Sequence, residues 1–253
     1  MNRGFALGTT EFGMIAADTS RTRAYLSALE RNDLLPTWVL LLETHQDESR
    51  PGQAASVSNA VACDPAWPES AFDPTAPLRP WLDRLGIRYD VSPVADINAP
   101  ETIGLIAACT PEVLVFSGFG GALLRDAVLR TGKQFLHVHG GYLPDFKGST
   151  TNYYSLLAEG QMGASSLFLT AEIDSGPVIT RRRFPAPGDR TRIDHVYDAA
   201  TRASVLVDTL KAWRKCGHWT VELPASTGGE TYYIIHPVLK HLAILGQSER
   251  HRD

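Results

Sequence analysis

Two stretches decide the reading of this chain: Phe135–Ser149 (FLHVHGGYLPDFKGS) and, downstream, Ala171–Ile179 (AEIDSGPVI). The first is a short apolar run that enters a Gly/Pro-rich loop. The second is a strand end, a tight Asp-Ser-Gly turn and a further strand. Along a strand, alternate side chains share a face, so His137 and His139 point the same way. An aspartate arriving from a turn about one helix and one strand later can meet an imidazole there. His139 and Asp174 are therefore the candidate acid–base pair, beside backbone left bare by Gly140 and Gly141.

Outward from this stretch the chain alternates strand and helix signals. Gly4–Thr9 suits a first strand and its turn, and Asp18-Thr-Ser20 offers caps for a helix carrying Tyr25, Leu26 and Leu29. Trp38–Glu43 is continuously apolar, as in a parallel strand buried on both faces. Residues 45–77 are rich in Asp, Ser, Pro and Gly and read as a long, partly mobile excursion. After it come a helix around Trp81–Leu85, a strand at Ile87–Val91 and a helix over Ala99–Cys109 with Thr102, Leu105 and Ile106 inward. A strand at Glu112–Phe116, a helix over Leu123–Leu129 and the histidine strand Phe135–His139 follow. This alternation predicts an α/β fold, a Rossmann-like open and mostly parallel sheet, with chemistry at the carboxyl ends of the strands.

Further on, Thr151–Glu159 reads as a helix with Tyr154 and Leu157 inward. Ser165–Ile173 and Val178–Phe184 read as antiparallel strands flanking Asp174, and Ile193–Trp213 as the longest amphipathic helix. The tail has strand-like and helix-like parts separated by His236-Pro237, too apolar to stay free in solvent. The expected organisation is a catalytic domain over residues 1–190. A C-terminal helix and small extension over 191–253 would pack on the core or on a subunit interface, possible ground for a homodimer.

These motifs resemble the folate-dependent formyltransferases, the family of the glycinamide-ribonucleotide, methionyl-tRNA and sugar-amine N-formyltransferases. The family signature is Asn-x-His, a Leu-Pro-x-aromatic-Arg/Lys-Gly loop, and a later Asp-x-Gly. His139 matches the catalytic histidine, Asp174 the catalytic aspartate, and Leu143–Gly148 the loop. Val115–Leu124 (VFSGFGGALL) is similar to the strand and turn where the pterin rests on backbone groups, and Gly8–Phe12 (GTTEF) to the family's opening turn. The resemblance covers roughly residues 4–185. It implies N10-formyltetrahydrofolate as co-substrate, held by Gly118, Phe119, Gly120, Gly121, Ala122, Leu123, Gly141, Tyr142, Leu143, Pro144 and Ile173. It implies no metal, and a primary amine as acceptor.

The chain departs from the signature at His137, where the family carries asparagine. His137 reads as a substitute oxyanion donor, a second base, or a residue turned to solvent. His137, His139 and Asp174 also form a two-His-one-carboxylate set of the kind that holds zinc or iron, so a metal-dependent hydrolase is an alternative. Transfer of another acyl group, cyclisation, and a non-catalytic binding member are further alternatives. Arg21 and Arg23 begin a helix and read either as grips for an acceptor's phosphate or carboxylate or as surface charges. Arg181–Arg183 reads as a charged, solvated strand edge.

Composition narrows the class. Hydrophobic content of 43% and charged content of 21% fit a folded globular chain rather than a disordered one. A formal charge of −4 argues against a broad nucleic-acid footprint. Cys63, Cys109 and Cys216 are sparse and unpaired in spacing, as in a reducing compartment. With no signal-peptide h-region and no membrane-length apolar run, the expected location is the cytoplasm. About forty residues follow the long helix, fewer than a barrel domain of the tRNA-acting relatives needs, so the expected acceptor is a small molecule: an amino sugar or a specialised-metabolite amine.

Overall fold

A computed structural model of the chain describes residues 11–43, 67–223 and 229–246. Its centre is a seven-stranded sheet built from β1 (Phe12–Ala17), β2 (Trp38–Leu42), β3 (Arg88–Ser92), β4 (Val113–Ser117), β5 (Gln134–His139), β7 (Gln161–Phe168) and β8 (Val178–Pro185). Their order is β3-β2-β1-β4-β5-β7-β8. The first five are parallel; β7 runs antiparallel to β5, and β8 to β7. The expected open α/β sheet is thus observed. Strand order reverses between β1 and β4, which opens a crevice at their carboxyl ends.

Burial explains why these runs became interior strands. Every residue of β1 (FGMIAA), β2 (WVLLL) and β4 (VLVFS) is buried, because helices cover both faces of the sheet. On one face, Tyr25, Leu26 and Leu29 of α1 (Ser20–Arg31) pack with Leu82 of α2 (Leu78–Leu85) and with Leu206 and Leu210 of α6 (Asp198–Cys216). On the other, Ile106 of α3 (Pro100–Ala108) and Val128 of α4 (Asp126–Leu129) meet Phe116 and Phe135. The Thr19 side chain caps α1 by accepting from Thr22 N at 3.2 Å.

A second, two-stranded sheet pairs β6 (Phe146–Gly148) in parallel with β9 (Glu230–Tyr232). The C-terminal segment therefore returns to the catalytic loop. Helix α7 (Pro237–Leu245) follows, with His236 at its N-cap and Pro237 at its first position, and packs against α5 (Thr151–Glu159).

Several elements differ from the sequence reading. The strand expected at residues 4–9 lies outside the described residues. Phe12, read as the end of a turn, instead opens β1. Most of the 45–77 excursion also lies outside them. Helix α4 is a single short segment, four residues rather than seven. Helix α5 buries Tyr153 and Leu156, while Leu157 is 43% exposed, a phase error of one residue. The Tyr153 hydroxyl donates to Asp194 at 2.8 Å, which fixes that phase. The long helix is two pieces: a π-helical turn, Ile193–Tyr197, and then α6.

Candidate active site

His139 ends β5 and is almost wholly buried. Its Nε2–H donates to the carbonyl oxygen of Phe146 at 2.8 Å, and its Nδ1 lies 3.3 Å from Asp174 Oδ2. Asp174 sits in the turn before β8 with φ 49°, a left-handed conformation that Asp tolerates better than most residues. The same Oδ2 accepts from Gly148 N at 2.9 Å. Strand β6 thus holds both members of the pair, one through Phe146 and the other through Gly148. A Cβ at Gly141 would stand 2.7 Å from His139 Nε2, so only glycine lets the loop close over the ring.

A carbonyl can only accept, so Nε2 carries a hydrogen; Nδ1 then faces a carboxylate. A proton in the Nδ1···Oδ2 gap would make that contact a hydrogen bond. Burial pushes the His139 imidazolium down, and the Asp174 carboxylate opposes it.

His137 shares the strand face of His139, as the alternation requires. Its Nδ1–H donates to the carbonyl oxygen of Phe116 at 3.3 Å, and the half-buried ring leans on the Phe116 side chain. The other nitrogen, Nε2, has no hydrogen-bond partner among the described residues and is not fully sealed from solvent. Burial, then the charges of Arg21, Arg202 and His139, hold His137 well below its ordinary value of 6.5.

Around this pair stands a polar frame that pattern reasoning largely missed. Arg21, at the head of α1, donates through Nε to Ser117 Oγ at 3.3 Å and through Nη2 to Gly118 O. It has no carboxylate partner among the described residues. Arg23, its neighbour, pairs with Asp18 at 2.5 Å instead. Arg202 of α6 reaches Asp198 Oδ2 at 2.9 Å and the Val138 carbonyl at 2.8 Å, which ties α6 to β5. Asn152 Nδ2 donates to Asp198 at 2.7 Å. Burial alone would raise the Asp198 carboxyl, but Arg202 overrides it and holds it low. The available signal was an Asp and an Arg four residues apart, in a helix that also carries Asp208, Lys211, Arg214 and Lys215, so the pattern did not single them out.

The other expected contact residues divide into two groups. Gly118 through Leu123 follow the carboxyl end of β4, next to β5. A Cβ built on Gly120 or Gly121 meets nothing within 4 Å, so backbone there is open to a flat ligand. Leu123 and Ile173 are 57% and 55% exposed. Gly141 through Pro144 form the loop between β5 and β6, but there Leu143 is buried with Leu167 and Val178. The Tyr142 ring is covered by the Arg183 guanidinium at 3.7 Å. The Arg181–Arg183 run lies on edge strand β8, each residue in an ion pair with an acidic side chain. Among the described residues, no three His, Cys, Asp or Glu side chains converge as a metal site would require.

Comparison with known proteins bears on family and fold. The family model described as formyl transferase matches residues 40–204, more than half of the chain. A methionyl-tRNA formyltransferase of Rhodopirellula baltica is 29% identical over 139 residues, covering 52% of this chain and 41% of that protein. A mitochondrial formyltetrahydrofolate deformylase of Arabidopsis thaliana is 32% identical over 107 residues, covering 42% and 33%. The chain thus spans less than half the length of these curated relatives. Among solved structures, a sugar N-formyltransferase from Shewanella has a TM-score of 0.56 at 12% identity, covering 94% of this chain and 87% of that one. A phosphoribosylglycinamide formyltransferase from Streptococcus pneumoniae has a TM-score of 0.54 at 16% identity, covering 81% and 99%.

Proposed function

The chain belongs to the formyl transferase family, and from that premise we propose that it moves a formyl group from N10-formyltetrahydrofolate to a primary amine of a small molecule. The observation that carries this reading is the buried His139–Asp174 contact at the carboxyl end of β5. In formyl transfer, negative charge grows on the formyl oxygen and the donor nitrogen needs a proton as it leaves. The His139–Asp174 pair can supply a proton to the leaving group. The open backbone at Gly120 and Gly121, with apolar Leu123 and Ile173, suits the pterin of the co-substrate.

An amino sugar or a specialised-metabolite amine is the proposed acceptor. The charge of −4 supports a small molecule over tRNA. So does a C-terminal segment that folds onto the catalytic loop through β9. Helix α6 brings Arg202 to β5, so the proposed boundary at residue 190 would not separate the C-terminal part from the site. Two copies joined through the C-terminal segment are the proposed assembly. Cys109 and Cys216 are free thiols and no described helix is long and apolar enough to cross a membrane, features compatible with the proposed cytoplasmic location.

The test is release of tetrahydrofolate from N10-formyltetrahydrofolate, with amino sugars, other amines and aminoacyl-tRNA as acceptors and mass spectrometry of the products. His139→Ala and Asp174→Ala should each lower the rate by about 10²-fold or more. Full activity in both variants, or efficient formylation of aminoacyl-tRNA, would refute the corresponding part. The deformylase relative supports a second reading, hydrolysis with water in the acceptor's place. Formate released without any amine would favour it.

A further inference from the structure

His137 stands where the family signature has an amide, and its hydrogen bonding differs from what an amide donor would supply. We propose that His137 is the base that takes the proton from the attacking amine, acting through a lone pair on Nε2; this rests on the formyl-transfer reading above. The ring has one N–H in its neutral form, and that N–H is committed to the Phe116 carbonyl. Its second nitrogen is therefore an acceptor, without a partner among the described residues and not fully sealed from solvent. An oxyanion needs a donor, which this nitrogen cannot be unless the ring is charged. The charged groups that face it are all cationic or share a proton: Arg21 from α1, Arg202 from α6 and His139 from its own strand. Arg21 also anchors the adjoining turn through Ser117 and Gly118, so the positive charge is fixed in place.

His137 and His139 therefore divide the work. His139 has a partner on both nitrogens, Phe146 and Asp174. His137 is satisfied on one and bare on the other. As the amine nitrogen bonds to the formyl carbon, His137 Nε2 accepts the proton that this nitrogen sheds. As the bond from the formyl carbon to the donor nitrogen breaks, the His139–Asp174 pair gives a proton to the donor nitrogen, and the proton on His137 passes to that pair, which returns both to their starting forms. The sum is amine plus N-formyl donor giving formamide plus donor N–H, with no proton gained or lost. A weakly basic imidazole suits both halves, being free at neutral pH and quick to give the proton back.

The deciding comparison is His137→Asn against His137→Ala in the full chain, with N10-formyltetrahydrofolate and the best amine found. An amide donates a hydrogen bond but has no basic nitrogen. Both variants should therefore lose about 10²-fold or more in kcat, equally, and lose the acid limb of the pH–rate profile. Added imidazole should restore part of the His137→Ala rate in proportion to its free base. A His137→Asn variant with most of the wild-type rate would overturn the proposal and make His137 a hydrogen-bond donor. Should the variants misfold, 15N spectra of wild type decide independently: the proposal expects the Nδ1–H tautomer, and an Nε2–H tautomer overturns it. Wild type that transfers no formyl group to any amine removes the function and this role together. Normal transfer with an active His137→Asn removes this role alone.

Discussion

Two histidines, two residues apart on one strand, differ because of what their nitrogens touch. His139 has a carbonyl on one side and a carboxylate on the other; His137 has a carbonyl on one nitrogen and, among the described residues, no partner on the other. The same contacts govern stability. His137 is held well below 6.5 when folded, first by burial. Above that value it is neutral in both states, and its effect on stability is constant. As pH falls below about 6.5, the unfolded chain binds a proton that the folded chain refuses, so stability falls with pH. The limiting slope is roughly 1.4 kcal/mol per pH unit for one histidine. Denaturant unfolding between about pH 5 and pH 7 should show this loss, reduced by about one proton's slope in His137→Asn. Equal slopes in the two proteins would refute the assignment of a lowered His137.

At the level of elements, the catalytic pair depends on strand β6, and β6 depends on β9. Tyr232 stacks on Phe146 at 5.5 Å and lies tilted against Tyr154 at 4.5 Å, and its carbonyl accepts from Ser149 N at 2.8 Å. Gly148 has φ 96°, and a Cβ there would collide with the Tyr232 carbonyl. Gly148→Ala should therefore separate β9 from β6 and displace the Asp174 and His139 contacts with it. The expected result is at least a tenfold loss of kcat with far-ultraviolet circular dichroism close to wild type. Tyr232→Ala should do the same more mildly. Undiminished kcat in both would show that β9 does not position the pair. None of this was legible in the sequence. The parallel strands announced themselves, because a strand buried on both faces is a continuous apolar run, as in WVLLL. His139 and Asp174 were legible because the loop between them is made of Gly and Pro. A three-residue strand such as β9 has no periodicity to read, and the Asp198–Arg202–Asn152 frame joins residues from two helices that only the fold brings together. The one-residue error in α5 arose because Tyr153 and Tyr154 are both aromatic, and only the Asp194 contact distinguishes them.

For the whole molecule, the C-terminal segment faces two ways. Its inner side is spent: Ile235 and Ala243 are buried, and Lys240 pairs with Asp194. Its outer side carries Tyr233 and Ile234, 80% and 81% exposed, followed on α7 by Val238, Leu242 and Leu245, all more than half exposed. The last three recur at i, i+4 and i+7, one stripe of a helix. Single exposed apolar residues are ordinary, but five in one short segment form a patch of the kind that marks an interface. A two-fold contact would cover the patch on both chains at once, since each presents the same surface. The proposed dimer would thereby clamp α7 and β9 against the catalytic loop, because β9 pairs with β6 directly. Light scattering should give the mass of two chains, and activity per chain should fall on dilution through the dissociation range. Ile234→Glu combined with Leu242→Glu should yield a folded single chain with lower kcat, since both side chains are exposed and no core contact is lost. A wild-type protein of one-chain mass at the concentrations where it is fully active would remove the dimer, and leave β9 held to the loop by its own stacking and hydrogen bonds.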